Sequence, residues 1–292
     1  MSYQNEQSTF QTSDNLKLFC QRWIPSSVSN AKPGNKVLVI HHGLGEHSDR
    51  YSNILSILEG TGITVYSYDV RGHGRSEGRK GLAKDLSHLA DDLDTFLQFI
   101  QKAYKITQKP MLYGHSMGGA VVLTFLSKSK ANQDRVKAVV ATASALGVEK
   151  NCYQAFMSSL LSCLRAVVPN TTLPSGLDVS KLSRDQNVVE AFKSDDMTHD
   201  MISIGLAFSL LESGRADIIP TASNMTLPIF LAHGEKDVIT DPKATQEYFD
   251  ACGSKDKTIK MYPNLMHEIH NELKEDKEKV LADLKDFITA HM

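Results

Sequence analysis

Apolar residues in this chain fall into two alternating kinds of run. Short blocks at Val37-Leu38-Val39-Ile40-His41, Ile63 to Asp69, Met111 to Tyr113, Val136 to Ala141 and Leu227 to His233 have the length of strands buried on both faces. Lys257 to Tyr262 reads as a further strand, and Leu16 to Ile24, with the only tryptophan, Trp23, as an early one. A linker rich in Ser, Asn, Pro and Gly follows it, from Pro25 to Asn35. Between the blocks the apolar spacing is helical. It is so at Tyr51 to Glu59, which Gly60 and Gly62 end, and at Leu86 to Tyr104, with Leu89, Leu93, Phe96, Leu97 and Ile100 on one face. Gly118 to Leu126, Pro242 to Cys252 and the charged segment Glu272 to His291 follow the same pattern. The alternation predicts an α/β fold, a mostly parallel central sheet flanked by helices on both faces. From about Leu146 to Ile219 it lapses, leaving helical patterns and no clear strand. The expected organisation is therefore a sheet domain over 1–145 and 220–292, with a helical cap inserted over 146–219.

The stretch Met111-Leu112-Tyr113-Gly114-His115-Ser116-Met117-Gly118-Gly119-Ala120 joins a strand directly to a helix of small and apolar residues. Its centre, Gly114 to Gly118, fits the G-x-S-x-G nucleophile elbow. A serine at the tip of a sharp strand-to-helix turn needs glycines two residues either side, where Cβ atoms would clash. Its hydroxyl then stands at a helix N-terminus, whose unpaired N–H groups favour a developing oxyanion. The same pattern recurs at Gly74-Arg75-Ser76-Glu77-Gly78, but there the strand ends several residues earlier and no apolar helix follows. Ser116 is the candidate nucleophile; Ser76 reads as a loop residue.

Composition narrows the partners. A formal net charge of −2 argues against nucleic acid or a strongly anionic surface as the main partner. Met1 to Asn15 is polar, without the apolar core of a secretory signal, and no run approaches the ~20 apolar residues of a membrane span. Cys20, Cys152, Cys163 and Cys252 are scattered without C-x-x-C spacing, and read as reduced structural thiols of a cytoplasmic protein.

A serine nucleophile needs a base, and the base needs an orienting acid. Where a G-x-S-x-G elbow is used, the chain order is Ser, acid, His. Asp237 stands four residues past His233 at the end of one strand, and His267 just past another that ends near Tyr262. Both fall in loops at the carboxyl ends of strands, where sites of parallel sheets lie. Asp241, ahead of Pro242, reads instead as a helix N-cap, and His270 as the start of the last helix. The oxyanion donors expected are the backbone N–H groups of Met117 and Leu44, the latter within His42-Gly43-Leu44-Gly45. Glu46, His47, Arg71 and His73 are candidates for fixing the surrounding loops.

Five segments carry a resemblance. They are His42 to His47 with Arg50-Tyr51, Asp69 to Gly78, Gly114 to Gly119, His233 to Asp237, and Met266-His267-Glu268-Ile269-His270-Asn271-Glu272. Together they resemble the monoacylglycerol lipase and lysophospholipase family of α/β-hydrolases, from about Phe10 to the C-terminus. The resemblance implies an α/β-hydrolase with Ser116 as nucleophile, Asp237 as acid, His267 as base, and Leu44 and Met117 as oxyanion donors. It implies hydrolysis of a long-chain fatty-acid ester, a monoacylglycerol foremost, without metal or organic cofactor. The chain departs from the family late in the cap, reading Ser194-Asp195-Asp196-Met197 where Asp-Pro-Leu is common.

The rival readings are a lysophospholipase, a short-ester or amide hydrolase, and a catalytically silent ligand-binding relative. The last kind typically lacks Ser, Asp or His, and all three are present. No His/Asp cluster has metal-ligand spacing. In the cap, Phe156, Met157, Leu160, Leu161, Leu164 and Val168 recur at helical spacing from Tyr153 until Pro169, and the polar face is uncharged apart from Arg165. That face is expected to make weak, reversible membrane contact by apolar burial, with little salt dependence.

Overall fold

The structure, a computed structural model, describes residues 3–26, 36–147 and 152–292, the side chains of 152–158 excepted. The linker residues 27–35, and the side chains of Tyr153, Phe156 and Met157 expected on the cap's apolar face, lie outside the described residues.

The strands are β1 (Tyr3–Gln11), β2 (Lys17–Pro25), β3 (Val37–His41), β4 (Thr64–Tyr68), β5 (Met111–His115), β6 (Val139–Thr142), β7 (Thr172–Pro174), β8 (Met201–Ser203), β9 (Ile229–Gly234) and β10 (Lys257–Tyr262). The helices are α1 (Ser52–Ile57), α2 (Leu86–Ala103), α3 (Met117–Ser127), α4 (Lys130–Gln133), α5 (Cys152–Val167), α6 (Gln186–Ser194), α7 (Ile204–Ser213), α8 (Ile219–Thr221), α9 (Pro242–Ala251) and α10 (Lys274–Ala290). Eight strands form one sheet in the order β1-β2-β4-β3-β5-β6-β9-β10. The pairings of β2 with β1 and β4 are antiparallel, and the other five are parallel.

Unbroken apolar runs make these strands because successive side chains enter opposite cores. Val37 and Val39 pack on one side of the sheet with α2 and α3, while Leu38 and Ile40 pack on the other with α1 and α10. Ile229 and Leu231 against Phe230 and Ala232 repeat the division in β9.

The polar N-terminus, to which the sequence pattern assigns no element, holds a strand: Tyr3–Gln11 forms β1, paired with β2 over its whole length. It is the sheet's edge, with only Phe10 buried, so no apolar alternation announces it. One expectation is corrected: the segment between β6 and β9 is not purely helical, since β7 and β8 pair antiparallel through Leu173 and Ile202. Three residues per strand are too few for a period-2 pattern to register.

The strand-to-helix turn at Ser116 leaves no room for side chains at the glycines that flank it. A Cβ on Gly118 would lie 2.1 Å from the His41 carbonyl oxygen, and one on Gly114 would lie 2.4 Å from that of Gly118. Backbone cannot yield there without separating α3 from β3. Gly118→Ala is therefore expected to lose about 3 kcal/mol or more of stability, a fall in Tm of roughly 5 °C or more. A melting curve superimposable on the wild type would show that α3 is not held this close.

Candidate active site

Ser116 occupies the turn between β5 and α3 with φ 56° and ψ −121°. A non-glycine residue reaches this region only when its surroundings over-determine it, at a cost of about 1–3 kcal/mol. Three backbone bonds do so. Its N–H donates to Thr142 O at 2.9 Å, and its carbonyl accepts from Ala120 N at 3.2 Å and Ala145 N at 3.0 Å.

The hydroxyl faces histidine. His267 Nε2 lies 2.9 Å from Ser116 Oγ, and His267 Nδ1 lies 2.7 Å from Asp237 Oδ2. All three residues are buried, in the loops after β5, β9 and β10. The Asp237 carboxylate is heavily solvated by protein. Oδ1 accepts from the backbone N–H groups of Ile239 at 2.8 Å and Thr240 at 3.1 Å. Oδ2 also meets Thr240 Oγ1 at 2.8 Å and His233 Nε2 at 3.0 Å. Burial alone would raise the Asp237 pKa, but the charge and hydrogen bond of His267 and the bond from His233 hold it well below the usual carboxylate range. Burial likewise would lower His267, yet the charge of Asp237 and its hydrogen bond lift it above the ordinary value of 6.5. The arrangement is a serine hydroxyl, an imidazole and an ionised carboxylate in series.

Leu44, Ser116 and Met117 line one cavity of about 570 Å³, within the usual range of ligand sites. Its walls include Leu161, Ile202, Ala207 and Leu210, and Leu173 and Val238 stand exposed at its margin. The loop bearing Leu44 is held from below. Glu46 Oε1 accepts from Gly43 N at 2.6 Å and from Tyr51 OH at 2.7 Å. Arg50 joins Glu46 Oε2 at 2.9 Å to both oxygens of Glu268, at 2.8 and 3.0 Å. Glu268 adjoins His267, so one guanidinium ties the Leu44 loop to the histidine loop. Burial would raise Glu268, but Arg50 brings it down to about 2.

The alternatives considered from sequence fall elsewhere. Ser76 Oγ donates to Asp69 O and accepts from Phe19 N, closing the loop it sits in. Asp241 caps α9 through Lys243 N at 2.9 Å and pairs with Arg215 at 2.6 Å. His270 lies in a single turn ahead of α10, stacked on Tyr51. His47 bonds Asp195 of the departing Ser194-Asp195-Asp196 segment at 2.8 Å, linking the loop after β3 to the end of α6. Arg71 binds both Asp14 and Asp92. With His88 those two carboxylates make the one grouping of potential metal ligands among the described residues, and Arg71 already pairs with both. Among the described cysteines, Cys20 and Cys252 are buried and unpaired, while Cys163 is exposed rather than structural. Sequence reasoning assigned no role to His233, Thr240, Arg50 or Glu268. For His233, Arg50 and Glu268 the signal available was only their presence in the same short motifs; for Thr240, three residues past Asp237, there was none.

A mostly parallel sheet with a serine in a strained turn ahead of a helix, followed in order by acid and histidine, defines an α/β-hydrolase. The chain belongs to the hydrolase family described as serine aminopeptidase, S33, which it matches over residues 32–274. A monoacylglycerol lipase of Mycolicibacterium smegmatis is 30% identical over 88% of this chain and 89% of its own. An uncharacterized abhydrolase domain-containing protein of Dictyostelium discoideum is 34% identical over 91% of this chain, which spans only 27% of that protein's length. The crystal structure of Paleococcus ferrophilus monoacylglycerol lipase superposes with a TM-score of 0.80 at 28% identity, covering 99% of this chain and 100% of the other.

Buried neutral histidines surround the site and set its acid tolerance. Burial depresses His41 to about 3 and His270 to about 4. Unfolded histidine takes up its proton near 6.5, whereas these rings stay neutral in the fold. Their contribution is complete above about pH 6.5 and is lost progressively as pH falls towards their folded values. By pH 5 each ring withdraws about 2 kcal/mol, which together lowers Tm by roughly 7 °C relative to pH 7. Melting curves at the two pH values check this; an unchanged Tm would mean that both rings titrate normally in the fold.

Proposed function

We propose that the protein is a serine hydrolase that cleaves the carboxylic ester of a long-chain monoacylglycerol to fatty acid and glycerol through an acyl-enzyme. In this reading residues 1–145 and 220–292 are the hydrolase core and 146–219 the cap. The observation that carries it is the hydrogen-bonded series Ser116, His267, Asp237 opening into an apolar-walled cavity of about 570 Å³. The two monoacylglycerol lipases among its relatives support the substrate.

Ser116 Oγ attacks the ester carbonyl carbon while its proton passes to His267 Nε2. The N–H groups of Leu44 and Met117 receive the oxyanion, each donor being worth about 10²–10³ in kcat at sites of this kind. Asp237 holds the imidazolium, which protonates the departing glycerol oxygen. Water, activated by the same histidine, then releases the fatty acid and restores the serine.

A fluorophosphonate probe should label the wild type and Ser76→Ala but not Ser116→Ala. His267→Ala and Asp237→Asn should each lower kcat by ~10³ or more. Across monoacylglycerols, lysophospholipids and short p-nitrophenyl esters, kcat/KM should be highest on long-chain monoacylglycerol. A preference for lysophospholipid would reassign the head group. Because His267 must be neutral to act and its pKa is raised, kcat/KM should fall with falling pH through a titration above 6.5. A rate that stays level below pH 6.5 in folded protein would remove histidine as the base.

Delivery of such a substrate fits the cap surface. No described helix is long and apolar enough to cross a membrane. Leu160 is 41% exposed and Val167 80% exposed on α5, with Val238, 72% exposed, at the cavity margin. Leu161 is buried in the cavity wall and Leu164 half-buried, so α5 divides its apolar residues between cavity and solvent. These exposed residues make a reversible, salt-insensitive membrane contact. Leu160→Asp with Val167→Asp should reduce co-sedimentation with neutral liposomes and turnover of long-chain substrate, while sparing a soluble short-chain ester. Equal loss on both substrates would place the face in the core instead.

A further inference from the structure

We propose that His233 is a positioning residue for this hydrolysis, a second histidine that holds the Asp237 oxygen used by His267, with Thr245 anchoring the far nitrogen of its ring. The inference rests on the reading of Asp237 as the acid.

His233 lies at the end of β9, fully buried, with Nε2 3.0 Å from Asp237 Oδ2 and Nδ1 2.7 Å from Thr245 Oγ1. An ionised carboxylate can only accept, so the proton on this side belongs to Nε2. In the neutral ring Nδ1 is then an acceptor, and the Thr245 hydroxyl must donate to it. Thr245 stands in the first turn of α9, itself buried, which makes the orientation of the ring a property of how α9 docks on β9. Thr240 Oγ1 closes the cage, 2.8 Å from Asp237 Oδ2 and 3.2 Å from His233 Nε2.

The need for such a donor follows from the other partners of the carboxylate. Oδ1 is fixed by two backbone N–H groups, whereas on Oδ2 the single proton of the Thr240 hydroxyl is shared between Oδ2 at 2.8 Å and Ala143 O at 3.1 Å, so Thr240 alone does not stop the carboxylate rocking about the Oδ1 edge. His267 cannot hold Oδ2 against this motion, because it is the group that Oδ2 has to orient. His233 supplies an anchor from a strand, which does not move with the histidine loop. With Oδ2 fixed, His267 Nδ1–H is held to it and the lone pair of Nε2 stays aimed at Ser116 Oγ, 2.9 Å away.

The test compares His233→Leu, His233→Gln and Thr245→Val with the wild type on a soluble short-chain ester, alongside Asp237→Asn and a melting curve for each. In His233→Leu, which has no donor, kcat should fall about 10- to 10²-fold with KM unchanged. His233→Gln keeps an N–H donor and should recover most of that loss; Thr245→Val should fall between the two. A wild-type kcat in His233→Leu would overturn the proposal. So would a His233→Gln variant as slow as His233→Leu with Tm falling in parallel, which marks the ring as packing alone. Should His233→Leu fail to fold, an unchanged kcat in Thr245→Val overturns the proposal equally. A near-normal kcat in Asp237→Asn would remove the triad reading itself. A collapse there beside a normal His233→Leu removes only the role of His233.

Discussion

Everything at the candidate site hangs on holding one serine in left-handed backbone geometry. Ser116 at φ 56° is unfavourable in isolation, and its neighbours pay that cost through three backbone hydrogen bonds to Thr142, Ala120 and Ala145. Those bonds need β6 beside β5 and α3 starting immediately, so the sheet order and the helix position follow from the same requirement. Gly114 and Gly118 are where the strand and helix backbones meet the turn, and any Cβ would force them apart. The parallel sheet then places the two later loops, after β9 and β10, on the same edge as the serine.

A second layer of constraint is electrostatic and buried. Arg50 lies between Glu46 and Glu268, and Glu46 in turn grips the N–H of Gly43. Buried charges of this kind contribute little net stability, because desolvation offsets their attraction, but removing one partner strands the others. Their effect is geometric: the loop with Leu44 and the loop with His267 cannot move independently. The pair His47 and Asp195 extends the tie to the chain that follows α6. Burial opposes the charge of Asp195, while the Met197 N–H and His47 favour it and hold its pKa below the usual value.

The parts of the fold legible in sequence were those whose signal is local. Strands buried on both faces are continuous apolar runs, and β3 and β9 fall within about two residues of expectation. α2 could be read from its apolar stripe, ending within a residue of where the spacing stops. β1 could not, because an edge strand is specified by its partner's open hydrogen bonds rather than by apolar alternation. β7 and β8 could not either, since a three-residue strand has no period to detect.

Sequence alone determined the class of chemistry and the residues to examine, because a nucleophile elbow needs fixed residue types at fixed spacing. The context around Gly114–Gly118 separated Ser116 from Ser76 without a structure, and chain order singled out Asp237 and His267. Only the tertiary structure decided what surrounds them. That His233 shares the carboxylate with His267, that His270 turns away to stack on Tyr51, and that α5 splits its apolar residues between cavity and solvent all depend on distances between segments far apart in the chain. Spacing along a sequence encodes which face a side chain takes within its own element. It does not encode which atoms of other elements that face will meet, and hydrogen bonds and pKa shifts arise from those meetings.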